Sequence, residues 1–275
     1  MLKKYMPYTI GFYLAAVVTL ITAIFVDLKL DIALNNTADP FSLWFEATGE
    51  MPCRLIGVIA GVLIYYIGEK KIVKLLGFLI NMGCATYLGY HIASYFFKEE
   101  NNVLFGIVFG IGIGIVAQYL GQFITISEEM KKGLFILSVT GVIVMFVQLG
   151  CIEVVKTVWG RVRFRDLLAV GSYDAFSQWY VPKGITGHRS FPSGHTAGAA
   201  MSYLMMLLPY VSEKWKKRRA LCFIIPLIYT SIVAYTRLVM GAHYLSDVAM
   251  GGVIGFTTVI IAIAVLDKKF FKTEE

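Results

Sequence analysis

His243 and Asp247 carry the sharpest chemistry in this chain. Four positions apart, they share a face if a helix begins near His243. A carboxylate there holds one imidazole nitrogen, fixes the tautomer and leaves the other nitrogen as an oriented nucleophile. Arg237, six residues upstream, offers a planar fork suited to phosphate oxygens. In a second group, Pro192-Ser193-Gly194-His195, proline and serine punctuate a helix start and glycine lets backbone approach a ligand. His195 then falls in the first helical turn, where unbonded N–H groups favour an anion, and a histidine so placed donates a proton to a leaving-group oxygen. A third group sets Lys156 seven residues before Arg163, with Arg161 and Arg165 adding to the cluster. Together these are parts for breaking a phosphate ester. Each has a plainer reading: an interfacial histidine with a topology charge, a helix cap with an incidental histidine, and headgroup snorkelling for Arg161, Arg165, Lys183 and Arg189.

The elements that must position these residues are transmembrane helices. Apolar residues make up 57% of the 275 residues and charged ones 16%, and the mean hydropathy is +0.70, far outside the range of a soluble domain. A hydrocarbon core of about 30 Å asks for roughly 17 to 25 apolar residues per helix. Eight stretches are candidates, the second of them short: Tyr8–Val26, Arg54–Gly68, Ile72–Phe97, Val103–Ile126, Gly133–Val155, His195–Val211, Ala220–Tyr235 and Leu245–Leu266. The expected fold is an all-α, polytopic membrane helix bundle. Glycines spaced four apart, Gly106, Gly110 and Gly114 in one span and Gly251 and Gly255 in another, predict close helix packing. Lys3 and Lys4 precede the first span without a cleavage pattern behind it, so it reads as an uncleaved anchor.

Lysine and arginine set the orientation. With the amino terminus inside, fifteen of the 25 basic residues fall on inner segments, from Lys3 to Lys272. Of the outer ten, seven (Lys156, Arg161, Arg163, Arg165, Lys183, Arg189, Arg237) belong to the segments with the suspected chemistry. Both termini are therefore expected in the cytoplasm and the motifs outside. The first outer loop is acidic, with Asp27, Asp31, Asp39, Glu46 and Glu50, a weak topology cue. The net charge of +7 is spread as topology determinants, which argues against a nucleic-acid partner. Cys53, Cys84, Cys151 and Cys222 show no metal or redox spacing and read as small core residues. His91 reads as a core residue, and His188 stays outside the catalytic set.

The order Lys156-x6-Arg163, Pro192-Ser193-Gly194-His195, Arg237-x5-His243-x3-Asp247 resembles the type 2 phosphatidic acid phosphatase (PAP2) family, whose pattern is KxxxxxxRP, PSGH and SRxxxxxHxxxD. The match covers about residues 133–266; Phe164 stands where the family has proline and Thr236 where it has serine. Residues 1–132 are then amino-terminal helices without catalytic motifs and residues 133–275 a PAP2-like catalytic core, within one integrated membrane domain. The family commonly has six core spans, which makes two of the eight an addition. The resemblance implies that His243 attacks phosphorus, Asp247 orients it, and His195 protonates the leaving oxygen and then activates water. It assigns Lys156, Arg163, Ser193, Gly194 and Arg237 to the phosphate oxygens, with no metal and no cofactor.

The expected partners are a lipid phosphate or diphosphate and the bilayer, with no obligate protein partner evident. Undecaprenyl diphosphate is favoured, by family analogy and topology, because its recycled form appears on the bacterial outer leaflet. Phosphatidylglycerophosphate and phosphatidic acid are the alternatives. A vanadate-dependent haloperoxidase shares the motifs but is soluble, and a lipid transporter does not call for two histidines and an aspartate in this order.

Overall fold

A bilayer forces backbone groups to bond within their own segment, and helices do this most simply. The computed structural model describes residues 1–96 and 102–270, and among these it contains helices and no strand. In chain order they are α1 (Leu2–Leu34), α2 (Pro40–Thr48), α3 (Met51–Ile67), α4 (Lys71–Phe96), α5 (Asn102–Gly121), α6 (Glu128–Trp159), α7 (Phe164–Val170), α8 (Gly194–Ala200), a 3₁₀ helix (Met201–Tyr210), α9 (Glu213–Lys216), α10 (Arg219–Val239) and α11 (Leu245–Lys269). Seven helical segments among the described residues are long and apolar enough to cross a membrane, close to the eight expected. Phe97, the end of the third expected span, and Lys272 lie outside the described residues.

Two expectations change. Asp27 and Asp31 belong to α1, which runs on to Leu34, and both are buried in place of lying in an outer loop. The sixth expected span, His195–Val211, is not one α-helix but α8 followed by ten residues of 3₁₀ helix. A 3₁₀ helix rises about 2.0 Å per residue against about 1.5 Å for an α-helix, so Gly194–Tyr210 covers roughly 30 Å, one hydrocarbon thickness. The terminal amine of Met1 pairs with Asp267 near the end of α11 at 2.9 Å, and Leu2 N–H donates to the same carboxylate at 2.6 Å. The start of the first helix and the end of the last thus lie side by side.

The chain folds as two compact units. One holds Met51–Phe146 and Met206–Arg219. There the spaced glycines pack as expected: a Cβ on Gly110 would lie 2.5 Å from the backbone of Thr86, and one on Gly89 would lie 2.4 Å from Gly110. The other unit holds Met1–Glu50, Val147–Met205 and the chain from Ala220. Compactness thereby groups the first fifty residues with every motif; the expected boundary between residues 132 and 133 rests on motif content alone. In this unit α11 lies against α8 through Gly251, where a Cβ would meet Ser193 O at 2.4 Å, and Gly255, where it would meet Ala200 Cβ at 2.5 Å. Tyr203 joins Phe12, Phe223 and Phe256 in an aromatic core below the motifs. Of the cysteines, Cys53 and Cys222 are buried as expected, whereas Cys151 is exposed.

Candidate active site

Two left-handed glycines aim the chain at the site. Gly160 (φ +57°) ends α6 and turns into Arg161, and a Cβ there would lie 2.1 Å from Gly184 O. Gly241 (φ +57°) links α10 to the segment carrying His243, and a Cβ there would meet Asn35 and Phe164. Only glycine takes this conformation without strain.

The innermost layer is a charge network around Arg161, which is 1% exposed. Its Nη1 donates to Asp247 Oδ1 at 2.6 Å and to Ser246 at 2.8 Å, its Nη2 to Asp27 Oδ2 at 2.9 Å and its Nε to Ser177 O at 2.9 Å. The guanidinium also stacks over Tyr244, 4.1 Å from the ring centre. Asp247, fully buried, accepts from Ser190 Oγ at 2.5 Å and from the Tyr244 N–H at 3.0 Å. With both oxygens held, Asp247 cannot turn. Buried charges survive only when paired and hydrogen-bonded in this way.

His243 sits on that anchor. It is 3% exposed, and its Nδ1 lies 3.5 Å from Asp247 Oδ2, at the outer edge of a hydrogen bond. Nε2 therefore points away from Asp247. Burial, reinforced by the nearby Lys156 and Arg163, holds this imidazole down to about 3 against the pull of Asp247. It is neutral at physiological pH, the state a nitrogen nucleophile needs. Among the described residues Lys156 and Arg163 form no ion pair, and both cations act on the neutral His243 ring. Lys156 Nζ approaches the open side of Gly194, 3.1 Å from where a Cβ would stand.

His195 occupies the first turn of α8, as expected, with 18% of its side chain exposed. Its Nδ1 lies 3.1 Å from Glu50 Oε1 and its Nε2 lies 3.1 Å from the carbonyl oxygen of Glu46. Arg237, 1% exposed at the end of α10, donates from Nη2 to Ser42 O at 3.2 Å and lies 3.5 Å from Glu46 Oε1. Glu46 also meets Arg165 at 3.6 Å. Ser193 is placed differently from a group that wraps phosphate. Its N–H donates to Asp247 O at 2.9 Å and its oxygen accepts from Thr196 N–H at 3.3 Å, so it caps α8 and leaves only its hydroxyl hydrogen to offer.

Sequence reasoning missed Asp27, Glu46, Glu50, Ser190 and Ser246, and it placed Arg161 in the phosphate-facing cluster or at the lipid headgroups, where the structure instead pairs it with Asp247 and Asp27. The expected third-motif pair, Lys156 and Arg163, does converge with His243. Arg189 instead pairs with Glu153 at a more open position, His188 is exposed, and His91 is buried against Tyr95. Phe164, at the first position of α7, buries its ring with Leu167 and Tyr244. Proline is common at that position because the N–H there has no partner within the helix, so the exchange leaves the helix start intact. Thr236 turns its hydroxyl to Val233 O at 2.8 Å. Among the described residues no group of three or more His, Cys, Asp or Glu side chains is arranged to hold a metal ion.

A family model described as the PAP2 superfamily matches residues 135–271, which include Lys156, Arg163, Ser193, Gly194, His195, Arg237, His243 and Asp247. Asp27, Glu46 and Glu50 lie before the matched region. No curated protein and no solved structure matches the chain.

Proposed function

We propose, from the premise that this chain belongs to the PAP2 superfamily, that it is an integral membrane phosphatase working through a phosphohistidine. Membership points to a phosphatase acting on lipid phosphates. The finer reading rests on one observation: a neutral, buried His243 held against an immobile Asp247, with Lys156 and Arg163 beside it. In this reading Nε2 of His243 attacks phosphorus while the Nδ1 hydrogen stays toward Asp247. His195 protonates the leaving oxygen, then removes a proton from the water that releases phosphate. Lys156, Arg163 and Arg237 stabilise the charge spread over the equatorial oxygens, Gly194 leaves room for them, and the Ser193 hydroxyl donates its remaining hydrogen. Fixed cations in a water-poor pocket are the main resource for phosphoryl transfer, and no metal takes part.

A hydrocarbon chain on the substrate is supported by an apolar cavity of about 600 Å³ lined by α1, α8, α10 and α11. It begins at Thr196, Leu238 and Leu245, the chain neighbours of His195, Arg237 and Tyr244, and extends along α1 as far as Pro7. No charged residue lines it, as suits an apolar ligand. The distribution of lysine and arginine supports cytoplasmic termini and a site on the outer face. On that face undecaprenyl diphosphate is the favoured substrate, ahead of phosphatidylglycerophosphate and phosphatidic acid. The test is phosphate release by the purified protein in EDTA against these three lipids, with acid quenching during turnover. An acid-labile, base-stable phosphoryl adduct on His243 is expected; a strict magnesium requirement, or turnover with no such adduct, overturns the reading.

A further inference from the structure

His195 has a hydrogen-bond acceptor on one ring nitrogen and a carboxylate at ion-pair distance from the other. The Glu46 carbonyl oxygen only accepts, so Nε2 of His195 carries a hydrogen. Nδ1 lies 3.1 Å from Glu50 Oε1, an ion-pair distance at which a carboxylate favours a proton on the ring. A further proton on this pair would sit on Nδ1 or on the carboxyl. The pair thus titrates as a unit and holds a transferable proton.

The segment that carries Glu50 is anchored for this task. Tyr229 of α10 donates to the carbonyls of Thr48 and Gly49, each at 3.2 Å. Gly198, three residues after His195 on α8, lies under Glu50: a Cβ there would stand 3.2 Å from Glu50 Cγ. Glu50 is thereby fixed one helical turn from the ring it faces. The charged groups facing His195 are Glu50 and Glu46 from the α2 segment and Arg237 from α10, with Lys156 of α6 beside the neighbouring Gly194.

We propose that Glu50 is a positioning residue that keeps His195 loaded with the proton the leaving group takes. The proposal rests on the reading of His195 as general acid. In the first step the bond from phosphorus to the lipid oxygen breaks as the bond to Nε2 of His243 forms. The lipid oxygen takes the Nε2 hydrogen of His195, and the remaining proton settles on Nδ1 against the Glu50 carboxylate. In the second step Nε2 of His195 takes a proton from water as the water oxygen attacks phosphorus and the P–N bond breaks. The pair ends as it began. Glu50 precedes the region matched by the family model, so this is a feature of this chain's own amino-terminal segment.

The test compares Glu50→Gln with the parent protein on phosphatidic acid, whose alkoxide leaves poorly, and on p-nitrophenyl phosphate, whose phenolate leaves without help. General acid catalysis contributes about 10²- to 10⁴-fold, so in single-turnover measurements of the first step the rate on phosphatidic acid is expected to fall about 100-fold and that on p-nitrophenyl phosphate to stay within about 3-fold. The alkaline limb of the phosphatidic acid profile is expected to move to lower pH, because the imidazolium loses its anion. Unchanged inhibition by inorganic phosphate reports that the cation cage is intact. Equal losses on both substrates, or no loss on phosphatidic acid, overturn the proposal. His195→Ala separates the layers: wild-type turnover of phosphatidic acid by that variant sinks the general-acid reading itself, whereas an impaired His195→Ala beside an unimpaired Glu50→Gln sinks only the role of Glu50.

Discussion

His243 and His195 each face a carboxylate, and the two carboxylates live in opposite surroundings. Asp247 is fully buried, with Arg161, Ser190 and the Tyr244 N–H already on its oxygens, and it meets His243 at 3.5 Å. Glu50 keeps 19% of its side chain exposed and meets His195 at 3.1 Å. A carboxylate locked by three donors orients a ring and stabilises the charge it acquires. One at the edge of the site, 3.1 Å from the ring, is placed to favour a proton on it. Environment, more than residue type, separates the proposed nucleophile's side of the site from the proposed acid's side, a division known from other paired acid–base sites.

The largest expected effects lie on the His243 side. His243→Ala removes the proposed nucleophile and is expected to lower turnover at least about 10⁴-fold on alkyl and aryl phosphates alike, since no leaving group compensates for a missing covalent step. Residual lipid turnover above 1% would break the contrast between the two histidines. Next comes Arg161→Ala, which strands Asp27 and Asp247 as buried charges. Breaking a buried pair costs about 3–5 kcal/mol, so a large loss of thermal stability in detergent is expected. The double variant Asp27→Asn, Arg161→Met should recover part of it. A stability loss in Arg161→Ala below about 1 kcal/mol would show that the network is not the anchor described.

The contrast also has a pH signature. The folded state holds His243 down to about 3, whereas the unfolded chain titrates near 6.5. The unfolded state therefore binds the proton first as pH falls. This group's contribution is complete above about pH 6.5 and is lost progressively toward pH 3, amounting to about 2 kcal/mol by pH 5. Thermal unfolding in detergent from pH 7.5 to pH 5 should show the parent protein losing more stability than His243→Gln. Parallel curves would place His243 in a wetter site than the one described.

How far the sequence announced this arrangement differs between the two sides. Lys156, Arg163, Arg237, His195, His243 and Asp247 were legible because each type is chemically distinctive and the order fixes them at helix ends. Asp27 and Asp31 were not, because hydropathy ends a span where carboxylates begin, while the helix itself continues to Leu34. The available signal was two acids four residues apart at the margin of a span, where ionisable residues default to function. Glu46 and Glu50 read as an acidic loop, since only the fold shows that α2 brings them to Arg237 and His195. Arg161 stayed divided between a phosphate cluster and headgroup snorkelling for the same reason: its counter-charges lie 86 and 134 residues away. The 3₁₀ segment escaped because hydropathy counts residues and carries no information on rise per residue.

The smallest effect comes from the position where this chain departs from the family proline. Phe164 is 1% exposed, stacks on Tyr173 at 6.0 Å and shares a cluster with Tyr244, the residue after His243. Phe164→Leu keeps an apolar side chain of roughly the right size, a change that usually costs less than about 1.5 kcal/mol. Whatever slack it creates reaches the site through the turn at Gly241, whose Cβ position lies 3.0 Å from the Phe164 ring. The loss of turnover should therefore be below about 10-fold and equal for phosphatidic acid and p-nitrophenyl phosphate, because misaligning a nucleophile slows attack whatever the leaving group. A loss confined to phosphatidic acid would tie Phe164 to the His195 side and blur the separation between the two histidines.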